Sequence, residues 1–346
     1  MVKDTPTGVP VVARLCGRMW ASGRGLRHCS GLSRRRMRRS RIRSPVCDDP
    51  RMRDPLANNG PTRVAETSSA DLRERLAGVR GLILDLDGVL VLKARLLPGA
   101  VEALAALDTR GIPYVVGTNM SLASRATLSR EMVRAGLPVP AGRIVSAASA
   151  ASAFARLRFG TAPLYVMGSA DAMTEFAGLT LLSHDQAAEA GATAAAVIVG
   201  DAGDEFTPRN VQSAFRLIRG GARFVAMHKN RWWITPDGVL LDSGSYVAAL
   251  EYATERRALV TGKPSRAFFG EAVRQLGGLA ATEVAMVGDD LWNDIRGAQK
   301  AGRRGVFVRS GKHGDADLAR AAKERGGWVP DAVAPSIVEV VAALES

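Results

Sequence analysis

From residue 82 onward, short unbroken apolar runs alternate with longer stretches in which apolar residues recur at helical spacing. Leu82-Ile83-Leu84 is one such run, and consecutive apolar residues suit a strand covered on both faces, as in a parallel sheet. Pro98 to Arg110 reads as an amphipathic helix, with proline at its start and Gly111 just past its end. Tyr114-Val115-Val116 is a second strand, followed by a helix from about Leu122 to Ala135. Towards the C-terminus the pattern gives a strand over Glu283–Val287, a helix from about Trp292 to Ala301, and a strand over Gly305–Val308. Strands alternating with helices imply right-handed crossovers, so the pattern predicts an α/β fold, a doubly wound parallel sheet with helices on both faces. Ligands of such sheets sit beyond the carboxyl ends of the strands.

Between residues 146 and 258 the alternation repeats on a smaller scale, with strands at Leu164–Met167, Ala194–Val199 and Phe224–Met227 and a helix over Pro208–Arg219. That stretch is long enough to form an inserted α/β domain, which leaves residues 76–145 and 259–346 as the two halves of the first. Residues 1–75 carry no sustained period and read as a disordered basic tail.

Charge supports this division. The formal net charge of +13 points at first to a nucleic acid or a membrane. Residues 1–70, however, hold 15 Lys+Arg against 5 Asp+Glu, a net of +10, so the rest of the chain carries only +3. The folded part therefore gives no sign of a nucleic-acid partner, and the Arg-rich run Arg34–Arg41 belongs to the tail. Four accounts of the tail stand: a dispensable extension or early start, an anion-binding arm, a transit-type leader, or a buried structural segment. Cys16, Cys29 and Cys47 all lie within it, so the folded part has neither a disulfide framework nor a thiolate metal site, which fits a reducing, cytoplasmic setting. No apolar run is long enough to span a membrane.

Four polar groupings follow core strands. Asp85-Leu86-Asp87-Gly88 ends the first; in extended backbone positions i and i+2 point the same way, so both carboxylates can face one pocket. Burying two unpaired carboxylates is costly, and a divalent cation is one remedy; a turn with local side-chain hydrogen bonds is the other reading. Thr118-Asn119 ends the second and can donate to an anion or serve as a helix cap. Thr261-Gly262-Lys263-Pro264 holds a lysine on a short loop, without the spacing of a P-loop. Gly288-Asp289-Asp290-Leu291-Trp292-Asn293-Asp294 places three acids at a strand end and first helical turn. A helix N-terminus accounts for Asp290 or Asp294 but not for Asp289 at the end of a buried strand.

Asp, Asp, Thr, Lys and Asp in this order, each after a core strand, resemble the four motifs of the haloacid dehalogenase-like hydrolases, and the insert before Lys263 is similar to the large α/β cap of one subclass. Leu76–Asp85, Ala248–Ala253, Val260–Pro264 and Gly288–Asp290 resemble the group that includes phospholysine phosphohistidine inorganic pyrophosphate phosphatase. Asp87 departs from the Ser expected in animal members of that group, and Met120 is unusual in its motif.

The resemblance implies a Rossmann-like core and a Mg²⁺-dependent phosphatase acting on a small phosphorylated substrate. In that role Asp85 is the nucleophile and Asp87 the general acid and base. Asp85, the Asp87 carbonyl and Asp289 would hold the metal, with Asp290 and Asp294 in support, and Thr118, Asn119 and Lys263 would bind the phosphoryl group. Cap specificity falls to His228, Asn230 and Gly244, and Trp232-Trp233 either packs within the cap or offers a surface for a homodimer through it. A phosphoryl transferase or mutase shares these motifs, whereas a dehalogenase does not need Asp87. A nucleic-acid-binding protein acting through the arginine-rich tail is the rival from another class.

Overall fold

The computed structural model describes residues 67–93, 95–235, 238–324 and 327–344. Strands run in chain order as β1 (Gly81–Asp85), the short hairpin β2 (Val91–Leu92) and β3 (Arg95–Leu96), β4 (Tyr114–Thr118) and β5 (Ile144–Ser146). There follow β6 (Leu164–Met167), β7 (Ala196–Val199), β8 (Arg223–Ala226), the hairpin β9 (Trp232–Thr235) and β10 (Gly238–Leu241), and β11 (Leu259–Val260). The series ends with β12 (Val284–Gly288), β13 (Arg304–Val308) and β14 (Ala332–Ala334).

Six of these form one parallel sheet in the order β14-β13-β12-β1-β4-β5, the doubly wound arrangement expected. Every residue of β1, β4 and β12 is buried, which is why their sequences run apolar without alternation. Successive side chains still go to opposite faces. Leu82 and Leu84 join the cluster under the helices Ser69–Leu76, Ala100–Thr109 and Ile337–Ala343. Ile83 joins Phe268 and Phe269 of the helix Arg266–Gln275 on the other side. The chain winds away from β1 in both directions, so the carboxyl ends of β1 and β12 flank the point where the strand order reverses.

The inserted stretch builds a second parallel sheet, β11-β8-β7-β6. Leu259 and Val260, read from sequence as the start of the returning core, pair with Val225 and Ala226 and extend this smaller sheet instead. Their short apolar run carries no signal of which sheet it joins.

The expectation of a structureless segment over residues 1–75 is corrected at its end; residues 1–66, with the arginine run and the cysteines, lie outside the described residues. Ser69–Leu76 is a helix whose N-cap Ser68 accepts from the Asp71 amide at 3.1 Å, and Leu72 and Leu76 are each 2% exposed. Thr67 lies alongside β14, donating its amide to the Val333 carbonyl at 3.0 Å and accepting from the Val333 amide through its hydroxyl at 2.9 Å. Two leucines four apart are too few to register as a period, and the surface they need lies at the other end of the chain.

Candidate active site

Asp85 is the last residue of β1 and pairs in register with Gly117 of β4; Asp289 follows the last residue of the neighbouring β12. The two acids therefore meet at the switch point. Asp294 joins them because the expected helix opens with a wide π-type turn, Leu291–Ile295, before the regular turn Arg296–Lys300. Such turns recur at functional sites. Here the turn keeps Asp294 fully buried, its Oδ2 accepting from the Asp290 amide at 3.2 Å. Carboxylate oxygens of Asp85, Asp289 and Asp294 all lie within 4.8 Å of one another.

Lys263 reaches this cluster from the loop after β11. Its Nζ stands 2.6 Å from Asp85 Oδ1, 2.7 Å from Asp294 Oδ1 and 3.3 Å from the Gly117 carbonyl. Burial works against its charge, but Asp294 and Asp85 outweigh that and hold its pKa above the ordinary lysine range. The acids show the converse. Burial, with Asp289 adding to it against the pull of Lys263, raises Asp85 to about 7. Burial and Asp85 push Asp294 to about 8, and burial and Asp294 push Asp289 to about 6. One lysine does not balance three buried carboxylates. An oxygen-only set this close fits a hard divalent cation, which would repay their burial.

Asp87 lies two residues beyond Asp85, exposed to the same cleft, with burial of its surroundings raising its pKa. Gly88 follows at φ +80, and a Cβ there would fall 2.1 Å from Asp289 Oδ2, so only glycine lets the turn approach the acid. Asp290 looks elsewhere: it accepts from the amides of Trp292 and Asn293 at 3.0 Å each and from Lys312 Nζ at 2.8 Å. Burial would raise its pKa, but Lys312 prevails and holds it at about 2.

Thr118, 4% exposed, faces the cleft while its Oγ1 accepts from the Met120 amide at 3.2 Å. The Asn119 side chain turns to the backbone of Lys263, accepting from its amide at 2.8 Å and donating to its carbonyl at 3.1 Å. Met120 packs partly buried at the edge of the main core and lines the cleft, which accounts for its apolar character.

The cleft, of about 600 Å³, is lined on its far side by residues of the stretch that carries the smaller sheet. His228 and Asn230 line it; Gly244 does not, and instead lets the 229–230 backbone approach, since a Cβ there would lie 2.2 Å from the Asn230 carbonyl. His228 is 3% exposed and held by hydroxyls, at 2.8 Å from Ser121 Oγ and 3.3 Å from Ser243 Oγ.

Sequence reasoning missed Lys312, which also donates its amide to Asp289 Oδ2 at 2.6 Å, and Ser121, whose Oγ accepts from the Asp201 amide at 3.0 Å. Lys312 had a signal: Ser310-Gly311-Lys312 stands at the carboxyl end of β13, where this fold places ligands. Ser121 had none beyond its place in a cap sequence.

Comparison with known proteins agrees with this geometry. Residues 82–181 match the family described as haloacid dehalogenase-like hydrolase, and residues 260–340 match a second described as HAD-hydrolase-like. The chain is 34% identical over 262 residues to the phospholysine phosphohistidine inorganic pyrophosphate phosphatase of Bos taurus, covering 74% of this chain and 92% of that one. Among solved structures it is similar to a p-nitrophenyl phosphatase from Archaeoglobus fulgidus, with a TM-score of 0.68 and 28% identity over 77% of this chain and 99% of that one. It is also similar to a glycerol phosphate phosphatase from Mycobacterium tuberculosis in complex with magnesium, with a TM-score of 0.67 and 25% identity over 77% of each chain.

Proposed function

The chain belongs to the haloacid dehalogenase-like hydrolases, and we propose that it is a Mg²⁺-dependent phosphatase of small phosphorylated molecules in which Asp85 is the nucleophile. The observation that carries this reading is the convergence of Asp85, Asp289, Asp294 and Lys263 at the switch point, with Asp87 facing the same cleft.

In this reading Asp85 attacks phosphorus and becomes an aspartyl phosphate, while Asp87 gives its proton to the departing oxygen or nitrogen. The raised pKa of Asp87 favours that protonated form. Asp87 then takes a proton from the water that cleaves the aspartyl phosphate, which restores both carboxyl groups. Lys263 and the Thr118 hydroxyl hold the transferring oxygens, and the Asn119 amide of the main chain adds a donor. Asp85, Asp289 and the Asp87 carbonyl would hold Mg²⁺, with Asp294 within reach; when bound it neutralises charge between nucleophile and phosphate. The magnesium in the M. tuberculosis relative supports that choice of ion.

The domain carrying the smaller sheet serves as the cap, and phosphomonoesters, phosphoramidates and pyrophosphate are the substrates to screen, the last two because the bovine relative is named for them. Trp232 and Leu241 are exposed on the cap hairpin and support a homodimer through the cap, which sedimentation of the full chain tests. No described helix is long and apolar enough to cross a membrane, and cytoplasmic placement is part of the same proposal.

The test is phosphate release from p-nitrophenyl phosphate with Mg²⁺ and after chelation. Activity should require the metal, vanish in Asp85→Asn, and fall about 10²- to 10⁴-fold in kcat for Asp87→Asn. Metal-independent release, or an Asp85→Asn protein as active as wild type, would refute the assignment.

A further inference from the structure

Asn119 sits beside the phosphoryl site, yet its side chain is occupied by another residue. Oδ1 accepts from the Lys263 amide at 2.8 Å and Nδ2 donates to the Lys263 carbonyl at 3.1 Å, a two-point clamp across 144 residues. The clamped residue is the one whose Nζ lies between Asp85 and Asp294. Lys263 has a second attachment, to the cap. The preceding Gly262 donates its amide to the Met227 carbonyl, just past β8, at 2.7 Å, and Thr261 donates to the Ala226 carbonyl at 2.9 Å. The lysine thus follows directly on the last strand of the cap sheet. Gly262 is squeezed between both attachments: a Cβ there would fall 2.4 Å from the Met227 carbonyl oxygen and 2.7 Å from Asn119 Oδ1.

Without the clamp, the backbone of Lys263 would be held only through its chain neighbours, the end of the cap sheet before it and the core helix Arg266–Gln275 after it, and its ammonium would be held less closely in register with Asp85. Resting on the phosphatase reading above, we propose that the Asn119 side chain is a positioning residue: it fixes Lys263 to the core and so couples the lysine of the cap return to the nucleophile, instead of binding the substrate phosphoryl group itself. Misplacing a catalytic group by about 1 Å can cost on the order of 10²-fold in rate.

The experiment is a double-mutant cycle on the full chain with p-nitrophenyl phosphate and saturating Mg²⁺, using Asn119→Ala, Lys263→Met and the double variant. Asn119→Ala is expected to lower kcat about 10- to 100-fold with little change in KM. Asn119→Asp keeps an oxygen for the Lys263 amide but loses the second hydrogen bond, and should recover part of that loss. On the Lys263→Met background, Asn119→Ala should cost nothing further. Losses that multiply in the double variant, or a rise in KM without loss of kcat, would mean that Asn119 acts on the substrate and would overturn the proposal. If Asn119→Ala does not fold, the same cycle run with the isosteric Asn119→Asp decides between the two. A wild-type chain that releases no phosphate would overturn the phosphatase reading and this proposal together; an active wild type with multiplying losses would overturn this proposal alone.

Discussion

Protonation of the buried His228 should make the stability of the protein depend on pH. Its Nδ1 accepts from the Asn230 amide at 3.3 Å, which leaves the proton on Nε2, directed to Ser121 Oγ at 2.8 Å. Ser121 belongs to the loop after β4 and His228 to the loop after β8, so this bond joins segments that leave the two different sheets. Burial lowers the His228 pKa from 6.5 to about 4, although the facing Asp201 pulls the other way and Asp242 Oδ1 lies 3.7 Å from Nε2. The folded protein therefore keeps this imidazole neutral while the unfolded chain takes up a proton below pH 6.5. Stability from this group is complete above pH 6.5, declines as pH falls towards 4, and is flat below that. A difference of roughly 2.5 pKa units at 1.36 kcal/mol each makes the full loss about 3 kcal/mol. Urea unfolding of wild type and His228→Gln from pH 4 to 7.5 isolates it, because the other carboxylates, including Asp201 and Asp242, are common to both proteins. The wild type should lose about 3 kcal/mol more than the variant across that range. Parallel stability profiles would show that His228 is accessible to protons in the folded state, and the reasoning from its burial would fail.

Gly262→Ala places a Cβ against two groups that have little room to move, and should cost about 1–3 kcal/mol of stability in urea unfolding. It should also lower kcat by on the order of 10²-fold through Lys263; wild-type kinetics would mean that the loop tolerates displacement. Leu76→Ala should lower unfolding free energy by about 2–5 kcal/mol, since Leu76 is 2% exposed beneath the helix Ile337–Ala343. A change near zero would place the helix Ser69–Leu76 outside the cooperative core.

Two residues separate what local pattern reveals from what it hides. Asp85 was legible because an acid ending the run Leu82-Ile83-Leu84 violates the burial expected of such a strand, and the violation lies within a few residues. Asn119 was legible only as a polar residue at a strand end. Phosphate donor, helix cap and loop clamp all use the same amide, and the choice among them depends on a partner 144 residues away.

The sequence by itself determined the alternation of strands and helices, the placement of Asp85, Thr118 and Asp289 at the ends of core strands and of Lys263 after a short apolar run, and the concentration of excess positive charge in the first 70 residues. These follow from period and composition, which are properties of neighbouring residues. Tertiary structure alone decided that Leu259 and Val260 complete the smaller sheet, that Leu72 and Leu76 belong to the core, and that Lys312 bonds Asp289 and Asp290. It also turned Asp294 inward through the π-type turn and set His228 against Ser121. Each of these rests on a contact between distant segments, and the order of strands in a sheet, which fixes such contacts, leaves no mark on the periodicity of any one of them.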